Sequence, residues 1–277
     1  MEFLTNLLKL LNTQMEKPTC YGLFHIAFFA AMLLATVYVC VFRKNDSAKT
    51  VRKAVFTVSL IVLILEIYKQ INFSFTFPEE GLKFEYAWYA FPFQFCSTPM
   101  YAGILAGIIK KGKVHDALCA YLATFSVFAG LCVMVYPGDV FTGTVGINIQ
   151  TMVCHGSMLP IGAYLLSTGH VKLEHKTVLK ALCVFAAAVG IATVMNEIAH
   201  ATGLLEANAF NMFYISPYCD PHLPVYSEVQ KVVPYPWSLV IYIAGFTAAA
   251  YIILLAAMGI HRLAAGKKKI AAAAAVN

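Results

Sequence analysis

The chain has 277 residues, 60% of them hydrophobic and only 12% charged, with a net charge of +6. Soluble domains hold about 45–50% apolar and about 25% charged residues, so a soluble globular fold is excluded and an integral membrane protein is expected. The positive balance follows from where Lys and Arg sit between apolar segments, so it gives no ground for nucleic-acid binding.

Residues 1–20 come first. Phe3, Leu4, Leu7, Leu8 and Leu11 recur at helical spacing, which predicts a short amphipathic helix lying on the outer interface. Seven apolar segments follow, at 21–42, 54–76, 92–109, 116–136, 148–168, 178–201 and 236–260. Each has the ~18–25 residues that span about 30 Å of hydrocarbon at about 1.5 Å per residue. They are continuously apolar and do not alternate, which argues against a β-barrel. Residues 21–262 therefore read as one all-α, polytopic domain of seven transmembrane helices. The Lys/Ala-rich residues 263–277 read as a cytoplasmic tail, with Lys267, Lys268 and Lys269 at anionic headgroups.

Fifteen of the twenty Lys and Arg residues lie in alternate gaps: after the first, third, fifth and last segments. Basic short loops stay cytoplasmic, so the N-terminus is expected outside and the C-terminus inside. The longest outer connection, 202–235, holds Pro217, Pro221, Pro224 and Pro234 with Tyr214, Tyr218, Tyr226 and Tyr235. It reads as a lid over the outer face or an aromatic belt at the headgroups. Eight cysteines occur without a CxxC pair, and only Cys20 and Cys219 fall near the outer water, where a disulfide between them is open but not favoured.

This topology gathers the polar residues of the spans at one depth. Glu66, Lys69 and Gln70 share a face in the outer half of the second helix, at i, i+3 and i+4. Gln94 and Cys96 enter with the third, Asn148, Gln150 and His155 with the fifth, and Asn196, Glu197 and His200 close the sixth. An ionisable group in a span costs about 2.5–3.5 kcal/mol and normally faces the interior with a partner. Such a layer on four helices reads as a polar cavity, against the plainer reading of interhelical hydrogen bonds that only hold the bundle. Pro99 and Pro160 are expected inside helices, freeing the carbonyls of Phe95 and Gly156 beside Cys96 and His155. Gly103 and Gly107 form a small-xxx-small pair suited to close helix packing.

Cys96 with His155 has the residue types of a nucleophile and its base, which points to acyl transfer through a thioester. Asn196, Glu197 and His200, by depth, would orient His155 or donate to the oxyanion, and Glu66, Lys69, Gln70, Gln94 and Asn148 would order the cavity. Zinc hydrolysis with His155, His200, Glu66 and Glu197 ranks lower, because no HExxH and no HxxxH occurs. No metal and no cofactor is expected. The alternative class is a non-enzymatic transporter or receptor for a small polar or amphipathic solute, built on Glu66 and Lys69.

The motifs FQFCSTP (Phe93 to Pro99), CHGSMLP (Cys154 to Pro160), LEIYKQ (Leu65 to Gln70), FNMFYISPYC (Phe210 to Cys219) and VPYPW, ending at Trp237, carry a resemblance. The chain resembles the YwaF-like bacterial integral membrane proteins, which are distantly similar to a eukaryotic transmembrane Cys–His phospholipid acyltransferase. The resemblance implies a CoA-independent lipid acyltransferase or lipase-like enzyme. Cys96 and His155 would be its catalytic pair and phospholipid acyl esters its partners. It also implies a multi-pass protein of the bacterial cytoplasmic membrane.

Overall fold

The computed structural model describes residues 2–274 except 79–80, 204, 207 and 221–222, and side chains over residues 3–266. Among them are ten α-helices: α1 (Glu2–Leu11), α2 (Leu23–Phe42), α3 (Ala48–Asn72), α4 (Thr98–Ile108), α5 (Lys113–Ala123), α6 (Phe125–Val135), α7 (Val145–Ser167), α8 (Lys176–Thr202), α9 (Pro224–Val232) and α10 (Trp237–Ala274). A two-stranded antiparallel ribbon, β1 (Phe75–Thr76) with β2 (Lys83–Phe84), follows α3, pairing Phe75 with Phe84. The chain is a multi-pass, all-α membrane protein. Five stretches are long and apolar enough to cross a bilayer: Leu23–Phe42, Ala48–Asn72, Lys113–Val135, Lys176–Thr202 and Trp237–Gly266.

The other two expected spans differ from these five. The span expected over 92–109 is helical only from Thr98. Eleven residues rise about 16 Å, half the hydrocarbon core. The cause is local. Phe91 precedes Pro92 and takes extended backbone (φ −49°, ψ 134°), as proline demands of its predecessor. Pro99 lies in the first turn of α4, not in a helix interior, and there its missing N–H breaks no bond. The Phe95 carbonyl is taken by the Thr98 hydroxyl at 2.8 Å. The helix α7 has 23 residues, long enough to cross, but Asn148, Gln150 and His155 dilute its apolar character. Pro160 lies inside it, as expected.

The segment expected over 116–136 breaks at Thr124 (φ −131°, ψ −78°) into α5 and α6. Over the residues read as a tail, α10 runs on to Ala274; the Lys267–Lys269 side chains and residues 275–277 lie outside the described residues. The helix α1 forms as expected. It buries Leu8 and exposes Phe3, Leu4, Leu7 and Leu10. It is tied down where α3 ends and α7 begins: Tyr68 OH donates to the Leu11 carbonyl, and Met15 N–H to that of Gly143 at 2.7 Å. All eight thiols are free.

The fold is built around α7, against which α2, α3 and α6 pack, while α4 lies on α3 and α5 on α8. His25 staples α2 to α6. Its Nδ1 accepts from Tyr21 N–H at 2.9 Å and its Nε2 donates to the Met134 carbonyl at 2.8 Å. Gly103 and Gly107 do serve packing, since a Cβ at Gly107 would lie 2.5 Å from Phe56 of α3. Gly130 brings α6 onto the main chain of α7: a Cβ there would lie 2.7 Å from the His155 carbonyl oxygen. A main-chain atom cannot rotate aside as a side chain can. Gly130→Ala is therefore expected to destabilise the fold by about 1–3 kcal/mol, the range for overpacking. Thermal unfolding in detergent reads this, and an unchanged midpoint would mean that the helices part freely.

At the far end of α3 and α7, Arg43 and Asp46 pair at 2.8 Å across the α2–α3 turn, and Tyr164 OH donates to the same carboxylate. The Tyr164 hydrogen bond, more than Arg43, holds the Asp46 carboxyl below the usual carboxylate range.

Candidate functional site

The polar face of α3 forms as its spacing predicts. Lys69 Nζ lies 2.8 Å from Glu66 Oε1, and Gln70 Nε2 donates to the same oxygen at 2.7 Å. From α7, Gln150 Nε2 donates to Glu66 Oε2 at 2.9 Å. Glu66 is 4% exposed, so an ion pair and two amides compensate a charge removed from water. Gln70 also donates to the Ala90 carbonyl at 2.9 Å and accepts from Tyr86 OH, which fastens the chain leading to Cys96. Burial and the nearby Glu66 charge push the Tyr86 phenol up to about 12, so it stays a donor at neutral pH.

His155 lies one residue beyond Cys154 and two turns into α7 from Asn148. Its Nδ1 is 2.8 Å from the Thr151 carbonyl. Its Nε2 is buried and has no hydrogen-bond partner. Cys96 precedes α4 and is partly buried against the apolar group of Val62, Met100, Ala129, Cys154 and Met158. Cys154 Sγ donates to the Cys96 carbonyl at 3.7 Å, joining α7 to the segment that bears Cys96. The Cys154 bond brings the main chain of Cys96 to α7 one residue from His155, and no hydrogen bond joins the Cys96 thiol to His155 Nε2.

The other expected residues hold main chain and loops. Gln94 donates to the Asn211 carbonyl at 3.0 Å and accepts from Phe213 N–H at 2.8 Å. Asn196 does the same for Met212, donating to its carbonyl at 3.0 Å and accepting from its N–H at 2.8 Å. These bonds anchor residues 211–213 of the connection after α8 to the helices. Met212, Phe213 and Ile215 are inserted among the helices and wholly buried, with Phe213 and Tyr214 at positive φ (59° and 55°). Two successive aromatic residues in the left-handed region are strained, and the two amide clamps hold them there. Asn148 binds Thr142, accepting from its N–H and donating to its carbonyl, each at 2.9 Å. Glu197 accepts from Tyr218 OH at 2.9 Å, and His200 stacks on the same ring at 3.5 Å. Asn196, Glu197 and His200 are thus engaged away from His155.

Two partners of the central cluster have no role in the expected site. Gln150 belongs to the expected polar layer, at the depth of Glu66. Tyr86 lies in an aromatic run (Tyr86 to Phe93) in which no tyrosine stands out. Among the described residues, no three of His, Cys, Asp and Glu converge where a metal ion could be held.

A family model, that of the TMEM164 family, matches residues 19–257, most of the chain. No curated protein and no solved structure matches it.

Proposed function

We propose that this chain, which belongs to the TMEM164 family, is a membrane enzyme that acts on lipid acyl esters through Cys96 and His155. The observation that carries the reading is the condition of His155. A carbonyl only accepts, so the Thr151 bond puts the proton on Nδ1 and leaves Nε2 a lone pair. That lone pair is buried without a partner. Leaving a buried polar atom so costs about 1–3 kcal/mol, a cost that a general base can justify.

In the proposed reaction the Cys96 thiol gives its proton to His155 Nε2, and the thiolate attacks the ester carbonyl carbon. The tetrahedral intermediate collapses to an acyl thioester, and the leaving alkoxide takes the proton back from His155. A second lipid hydroxyl, or water in a lipase-like reaction, then loses its proton to His155 and attacks the thioester. Cys96 leaves as thiolate and is reprotonated. Approach of the Cys96 thiol to Nε2 when lipid binds is the adjustment this requires, of the kind that unliganded sites commonly await.

The same reading takes residues 91–97 with α4 as one crossing and α7 as another, making seven with the five apolar spans. The alternation of Lys and Arg supports an outer N-terminus and a site in the outer leaflet. The YwaF-like resemblance supports a bacterial cytoplasmic membrane. A thiol label added from outside is expected to reach cysteines introduced at Ser74 or Asp139, and not at Ser47 or Lys172. The reverse pattern would move the site to the other leaflet.

The chemistry is tested by intact-protein mass spectrometry after incubation with a phospholipid donor. An acyl adduct on Cys96 is expected, absent in Cys96→Ala and slower to form in His155→Ala. No adduct, with Glu66→Gln harming function more than Cys96→Ser, would favour a transporter or receptor.

A further inference from the structure

A groove of about 510 Å³ runs between α2, α3 and α7, and no residue of the Glu66 cluster lines it. It exists because α2 and α3 both pack on α7 while the facing positions are small: Ala31, Ala35, Ala54 and Gly156 among them. Its volume lies in the range of ligand sites, about 300–1,000 Å³. From Phe28 to Arg43 along α2 it extends about 22 Å at 1.5 Å per residue.

The two ends differ in chemistry. The walls are apolar along most of the length, and the far end carries Tyr38, Tyr164 and Arg43. The Arg43 side chain is 39% exposed, so it is open to a further partner besides Asp46. The α2–α3 turn and the first two turns of α3 also carry Lys44, Lys49, Arg52 and Lys53, so residues 43–53 hold five cations against the single carboxylate of Asp46, a charge of +4 (5 − 1). An apolar trough that ends in tyrosines and a cationic turn matches one amphipathic shape, an acyl chain with a negative head.

We propose that this groove binds an anionic glycerophospholipid, with one acyl chain along α2 and α7 and its phosphate at Arg43. Cys96 and His155 do not line the groove, so this lipid is held and not turned over. It fills the gap between α2 and α3 and couples the α2–α3 turn to the charge of the surrounding membrane.

Native mass spectrometry of the full-length chain in detergent, with added phosphatidylglycerol or phosphatidylcholine, tests this. Phosphatidylglycerol is expected to be retained preferentially, and Arg43→Gln to reduce that preference by about fivefold, the weight of one basic residue near an anionic lipid. Ala35→Trp, which fills the trough from its exposed wall, is expected to release both lipids while Cys96→Ala retains them. Equal retention of the two lipids by the unaltered chain would overturn the proposal. So would a preference that survives both Arg43→Gln and Ala35→Trp, since the selectivity would then arise at other basic residues.

Discussion

Replacing His155 with alanine is expected to slow lipid acyl turnover by about a hundredfold to ten-thousandfold, the usual share of a general base. The size follows from the tautomer. With Nδ1–H committed to Thr151, Nε2 is the only imidazole lone pair, and no donor competes for it. Alanine leaves a thiol with no base beside it, and an unassisted thiol is mostly protonated at neutral pH. Thioester formation and its breakdown slow together, since His155 serves both. Cys96→Ala removes the thioester altogether and is expected to be the more complete loss. Turnover of a labelled phospholipid by purified protein in vesicles measures both, and undiminished turnover in either variant would refute the dyad.

Loss of the Glu66 carboxylate is expected to have the largest effect on stability. Glu66→Ala leaves the Lys69 ammonium without its counter-charge and Gln150 without its acceptor. Breaking a buried pair from one side costs about 3–5 kcal/mol, whereas replacing both partners with apolar groups is often neutral. The double variant Glu66→Ala/Lys69→Met is therefore expected to regain most of the lost stability, as read by thermal unfolding in detergent. Equal loss in the single and double variants would show that the amides, not the charges, hold this part of the bundle.

The cluster around Glu66 was legible because one helix supplies most of it. Positions i, i+3 and i+4 meet on any helix, and depth alone brought in α7. The partners of Gln94 and Asn196 were not legible. The two amides bind the main chain of residues 211–213, and periodicity says nothing of where a connection folds back. The unwound stretch before α4 was missed for a different reason. FPFQFC is apolar enough to pass for a span, and only the conformation that Pro92 imposes on Phe91 marks it otherwise. Glu197 and His200 were assigned inward by their place on α8, while Tyr218, which engages both, comes 16 residues after that helix ends (218 − 202).

The clamps on residues 211–213 bear on how the molecule is assembled during synthesis. Gln94 and Asn196 are made before the residues whose main chain they bind. Until those arrive, two amides deep in the bundle lack their final partners, a condition that hydrocarbon penalises. Docking of this connection is thus a late maturation step that follows insertion of α8.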